Sequence, residues 1–177
     1  MKKIFVLIVC LSAFMTNGKA QDMVAGFLKR QSNPDVFTQV NINAKMFQLI
    51  ADITDAETES IIQNLTGMKI LTTDQKTEEY FKASRQMLEN PAAGYENLMN
   101  VKEENEEVWM YIRESKGCIA ELVILVGEKE KFVLMNFIGK IDLKKISRLT
   151  KSVNISGVEY LNKVKDTSGN KSKNVHP

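Results

Sequence analysis

Val108-Trp109-Met110-Tyr111-Ile112-Arg113, Cys118 to Val126, and Lys131 to Ile138 are the stretches that decide the fold. All three are rich in β-branched, aromatic and long apolar residues. Lys116-Gly117 and Gly127-Glu128 supply turn residues between them. That pattern predicts three antiparallel strands joined by tight turns. Side chains alternate between the faces of a strand. The register expected from uninterrupted alternation puts Val108, Met110, Ile112, Ile119, Val123, Leu125, Phe132, Leu134 and Ile138 on one face, with Glu121 and Asn136. The second face carries Trp109, Tyr111, Cys118, Ala120, Leu122, Ile124, Val126, Val133, Met135 and Phe137, with Arg113 at its margin.

Both faces are too apolar for a sheet half in water. The second, free of formal charge at its centre, is the one expected under helices. The first is interrupted by Glu121, with Asn136 roughly opposite. A carboxylate in an apolar face must be wet or paired. Either Glu121 is solvated near an open edge, or this face is a binding groove with Glu121 and Asn136 as its polar handles.

Upstream, Asp22 to Arg30 reads as a short amphipathic helix with Met23, Val24, Phe27 and Leu28 on one side. It docks on its own domain or, alternatively, touches a membrane surface. Val36 to Ile42 is a strand. Asn43 caps a helix over residues 44–51 with Met46, Phe47 and Ile50 inward. Thr54 and Glu57 form a capping-box pattern opening a helix to Leu65, stopped by Gly67. Met68 to Thr72 is a further strand, so residues 36–72 read as a strand–helix–strand crossover. If its strands pair, the pairing is parallel. Asp74 or Thr77 caps a helix to Glu89, ended by Asn90-Pro91. A turn from Ala92 to Leu98 then leads to the meander. After the meander, Asp142 caps a helix with Leu143, Ile146 and Leu149 inward. The expected class is α+β: a two-layer sandwich with a mainly antiparallel sheet of about five strands and helices on one face.

The first twenty residues read as a signal peptide. Lys2 and Lys3 precede an apolar run, Ile4 to Met15, shorter than the roughly 20 residues of a spanning helix. Gly18-Lys19-Ala20 offers small residues for cleavage after Ala20. Cys10 lies inside the apolar run after Val9, which argues against lipidation. The organisation is a signal peptide over residues 1–20, one α+β domain over 21–165 and a polar tail over 166–177, expected to be disordered. No other run reads as a transmembrane segment. The expected location is exported: periplasmic, or at the cell surface or beyond.

The precursor carries 24 basic and 22 acidic residues. Removing Lys2, Lys3 and Lys19 erases the positive balance, so charge gives no argument for nucleic acid. Cys118 is the only cysteine after the leader and is expected to be a small buried hydrophobe against Phe137. The single histidine, His176, lies in the tail. That argues against Cys/His or Ser/His/Asp catalysis and against histidine-based zinc. The acidic run Glu103 to Glu107 lacks the alternating ligands and glycine of a calcium loop. No cofactor and no metal are expected.

Five segments taken in order carry a family resemblance: the leader, Val40 to Phe47, Tyr95 to Val101, Ile119 to Leu125 and Phe137 to Leu143. Over residues 21–155 the chain resembles the domain of unknown function 4252 family, secreted proteins typical of Bacteroidetes. The family has no established activity or catalytic residues to carry over. Its members are often encoded near extracytoplasmic sigma-factor systems. The resemblance therefore implies a cell-envelope accessory or signalling component. The expected partner is an envelope protein or further copies of the chain. Two functions follow. One is a non-catalytic binding or signalling module. The alternative is a carboxylate-dependent periplasmic hydrolase or transferase using Glu121 with Asp52 or Asp55, which would need a matched acid–base pair.

Overall fold

The computed structural model describes residues 22–143. The residues read as a signal peptide, most of the helix expected after Asp142 and the tail expected to be disordered lie outside the described residues. Within them the chain runs α1 (Met23–Leu28), β1 (Thr38–Asn43), α2 (Ala44–Ala51), α3 (Ala56–Ile62), β2 (Leu65–Thr73), α4 (Thr77–Leu88), β3 (Glu96–Lys102), β4 (Glu106–Ser115), β5 (Cys118–Glu128) and β6 (Phe132–Ile141). Short 3-10 turns at Pro34–Val36 and Pro91–Ala93 precede β1 and β3.

The fold is α+β, built on one antiparallel sheet of six strands in the order β1-β2-β6-β5-β4-β3. The expected meander forms its centre. The strand missed by periodicity is β3, a polar edge where the sequence suggested a turn. β1 and β2 are also antiparallel rather than parallel, although two helices connect them. The two are direct neighbours in the sheet, and the right-handed crossover rule governs only parallel pairs.

Helices cover both faces, not one. Phe47 from α2 and Ile61 and Ile62 from α3 pack on Val108, Met110, Ile112, Leu122, Ile124, Val126, Val133, Met135 and Phe137. Met23, Val24 and Phe27 from α1 and Tyr80, Phe81 and Leu88 from α4 pack on Leu71, Tyr111, Val123, Leu125, Phe132 and Leu134. The helix at the N-terminus thus docks on its own domain. Its aromatic Phe27 meets Phe37 and Phe132 at ring distances of 5.7 and 5.8 Å, and Phe37 meets Tyr80 at 4.8 Å. Leu122, Ile124, Val133, Met135 and Phe137 are buried as expected, but Val123, Leu125 and Leu134 are buried as deeply.

The expected faces are right for β6 and for β5 from Glu121 onward, and reversed for β4 and for Ile119, which packs on the α2/α3 side. Lys116 and Gly117 both adopt positive φ, 54° and 73°, in the two-residue turn that places Ser115 opposite Cys118. Counting back from that turn without interruption would pair Met110 with Val123. A bulge intervenes: Arg113 faces Glu121 while Glu114 faces Ile119, so Ala120 has no partner on β4. Met110 consequently pairs with Ile124 and, through it, with Met135. One extra residue turns every β4 side chain to the other face.

Local chemistry sets several element ends. Asp22 caps α1 and Asn43 caps α2, its Oδ1 accepting from the Met46 amide at 3.0 Å. α3 starts later than the capping-box pattern suggests. Asp55, not Thr54, is its cap, accepting from the Thr58 amide at 2.9 Å and from the Thr58 hydroxyl at 2.8 Å. Leu65 and Gly67 belong to β2 rather than to the helix. α4 has no side-chain cap; Thr77 instead donates its hydroxyl to the Lys129 carbonyl in the β5–β6 turn. Gly127 lets α4 approach closely, since a Cβ there would lie 2.5 Å from the Phe81 ring.

Candidate functional site: a buried carboxylate held by Arg113 and Tyr95

Glu121 is neither solvated nor at an open edge. It is 2% exposed, on the face under α1 and α4. The bulge at Ala120 puts Arg113 directly across from it. The Arg113 guanidinium donates to Oε1, and the Tyr95 hydroxyl donates to Oε2. Tyr95 arrives from the segment following the 3-10 turn, where Gly94 takes a left-handed φ of 69°. The Arg113 guanidinium also lies 5.4 Å from the centre of the Tyr95 ring. Both carboxylate oxygens are thus occupied by donors, one of them charged.

The electrostatics agree with that geometry. Burial, then the hydrogen bond to the Glu121 carboxylate, pushes the Tyr95 hydroxyl well above its ordinary range. For Arg113, burial opposes the charge, but the attraction and hydrogen bond of Glu121 outweigh it and raise its pKa. A charge pair out of water holds only while both partners are present.

Asn136 is fully buried and shares the face of Glu121, opposite Val123 on β5 and Lys69 on β2. Its amide atoms find no hydrogen-bond partner among the described residues. Neither Glu121 nor Asn136 lines an open groove, because α1 and α4 cover their face. Arg113 and Tyr95 are the residues that sequence reading missed. An unpaired Glu in an apolar strand calls for a cation, and Arg113 was available on the neighbouring strand. Only the unrecognised bulge kept the two on separate faces.

A second polar group lies further along β4. Tyr111 donates to Glu89 Oε1 at 3.1 Å, and Arg85 donates to the same oxygen at 2.8 Å. The Arg85 guanidinium sits 3.8 Å over the Trp109 ring, which stacks on Tyr111. Burial, followed by the negative charge of Glu89, raises the Tyr111 hydroxyl to about 12.

The other carboxylates weighed as catalytic stand elsewhere. Asp55 is spent on the α3 cap, and its hydrogen bonds from Thr58 hold it below the usual carboxylate range. Asp52 is the exposed C-cap of α2. Both belong to helices on the α2/α3 side of the sheet, whereas Glu121 lies on the α1/α4 side. No pair of them converges.

Two surface clefts accompany these groups. One, of about 620 Å³, is lined by Ile61, Asn64, Glu114, Cys118, Ile119 and Lys140. Cys118 is half-buried there at the start of β5, not sealed in the core against Phe137 as expected. The other, of about 700 Å³, lies beside Arg85, Trp109, Lys102, Glu107 and Lys129. Among the described residues no group of three or more His, Cys, Asp or Glu side chains is placed to hold a metal ion, and no helix is long and apolar enough to cross a membrane.

No curated protein and no solved structure matches the chain. A family model does, over residues 31–149, well over half of the sequence and including β1 to β6. The chain belongs to the family described as Domain of unknown function (DUF4252).

Proposed function

We propose that this protein is a non-catalytic, exported cell-envelope module that works by binding or signalling to another envelope component. The observation that carries the reading is the commitment of its carboxylates. Glu121 is closed off by Arg113 and Tyr95, and the exposed Asp55 is engaged by the Thr58 amide and hydroxyl as the α3 cap. They occupy opposite sides of the sheet, so Glu121 and Asp55 do not form the adjacent acid and base that the hydrolytic alternative would draw from them. The leader-like residues from Lys2 to Ala20 support export.

The test compares capture with turnover. Purified protein and its Asp55→Asn and Asp52→Asn variants are immobilised against envelope extract, and are assayed with ester, peptide and glycoside substrates. The proposal expects saturable capture of one envelope component, equal for all three proteins, with no turnover. Hydrolysis that is lost in either variant while its circular dichroism is unchanged would overturn it.

A further inference from the structure

The two edges of the sheet are built differently. β3 carries Glu96 and Lys102 and is bent by a bulge between Asn97 and Met99. Charges and bulges are the usual means of keeping an edge strand from pairing with another chain. β1, Thr38-Gln39-Val40-Asn41-Ile42-Asn43, has none of them. It contains no charge and no proline, and its register with β2 runs through six consecutive pairs without a bulge. It is almost entirely exposed, and Val40 is 42% exposed. Alternate residues along this edge point outward backbone N–H and C=O groups that no strand among the described residues pairs, and another extended strand can satisfy them in series.

The sequence of β1 suits a copy of itself. Thr38, Val40 and Ile42 share the α2/α3 face, since Val40 pairs with Ile70 and both Ile42 and Ile70 pack on that core. A two-fold axis through Val40, perpendicular to the sheet, pairs Val40 with Val40 and Thr38 with Ile42. On the other face it pairs Gln39 with Asn41. The first set is entirely β-branched, a favourable cross-strand combination, and the second joins amides that can hydrogen-bond. No like charges meet. Asn43 stays outside the pairing and keeps its cap on α2.

That axis also keeps both α2 helices on one side of the joined sheet. α2 is apolar well beyond its buried flank: Phe47 is in the core, but Met46 and Leu49 are about half exposed, and Ile53 just past its end is 85% exposed. We propose that β1 is a self-association edge, through which two copies pair antiparallel about Val40 into one continuous sheet. This is independent of whether the protein is catalytic.

Sedimentation equilibrium of the purified protein over a concentration series tests it, beside Val40→Lys and, on the opposite edge, Leu98→Lys. The expected result is a mass twice that of one chain for the parent and for Leu98→Lys, and the mass of one chain for Val40→Lys. Val40→Cys in a Cys118→Ser background guards against a variant that fails to fold, because residues on the axis crosslink on mild oxidation and Asn41→Cys should crosslink far less. A parent of single-chain mass at every concentration, a dimer that survives Val40→Lys, or equal crosslinking at positions 40 and 41 would overturn the proposal.

Discussion

Arg113 on β4 and Glu121 on β5 face each other only because Ala120, one position before Glu121, is left out of the ladder. In the unbulged register set by the Lys116-Gly117 turn, Arg113 would face Ala120 and Glu121 would face Ile112. A buried carboxylate beside an isoleucine, without a cation, is costly. The bulge therefore does two things at once. It supplies Glu121 with its charge partner, and it turns Val108, Met110 and Ile112 toward α2 and α3.

The tyrosines give a pH dependence. The Tyr111 hydroxyl is raised from 10.0 to about 12, and Tyr95 is raised as well. Their folded-state pKa values exceed the unfolded ones, so the native state holds these protons more tightly. The resulting stability is intact below about pH 10 and is lost as pH rises through about 12. Urea midpoints measured across that window should fall, and Tyr111→Phe should flatten part of the decline. An alkaline limb that neither Tyr111→Phe nor Tyr95→Phe changes from the parent's would contradict this.

Gly139 is required by its backbone. Its φ is 147°, and a Cβ would lie 2.3 Å from the Asn64 carbonyl oxygen and 2.8 Å from the Leu65 Cα. The obstacle is backbone, which cannot swing aside as a side chain would. Gly139→Ala should cost at least about 2 kcal/mol in chemical denaturation. Gly117→Ala has open space around it but the same left-handed requirement, so it should cost less. Equal stability of the Gly139→Ala and parent proteins would refute the close approach.

Cys118 sits half-buried at a turn and lines a cleft. Its thiol should be alkylated in native buffer, more slowly than a free thiol but without prior unfolding. Peptide mapping after brief iodoacetamide treatment reads this directly. Modification that tracks the global unfolding rate would place the thiol in the core instead.

Much of this fold can be read from residue pattern because burial is periodic. The long apolar runs of β4, β5 and β6 announce strands, and Asp22, Asn43 and Asn90-Pro91 mark helix and turn boundaries by their capping and backbone chemistry. β3 escapes because an exposed edge strand has little apolar alternation to display; in Glu96-Asn97-Leu98-Met99-Asn100-Val101-Lys102 only Met99 and Val101 are even partly buried. The antiparallel pairing of β1 with β2 escapes because a helical connection permits either direction. Glu121 is conspicuous in the sequence, but its surroundings are not. Arg113 depends on a single-residue bulge with no glycine to betray it, and Tyr95, 26 residues upstream of Glu121, depends on the turn at Gly94. Counting by twos cannot see either.

Arg113 and Tyr95 hold Glu121 as an anchor of the fold. A double-mutant cycle with Arg113→Met and Glu121→Gln, followed by urea denaturation, tests that most directly. Each single change leaves a mostly buried partner without its mate, and should cost about 3 kcal/mol. The double variant should be less destabilised than the sum of the two, with a coupling of about 2 kcal/mol or more. Additive effects, with Glu121→Gln as stable as the parent, would contradict it.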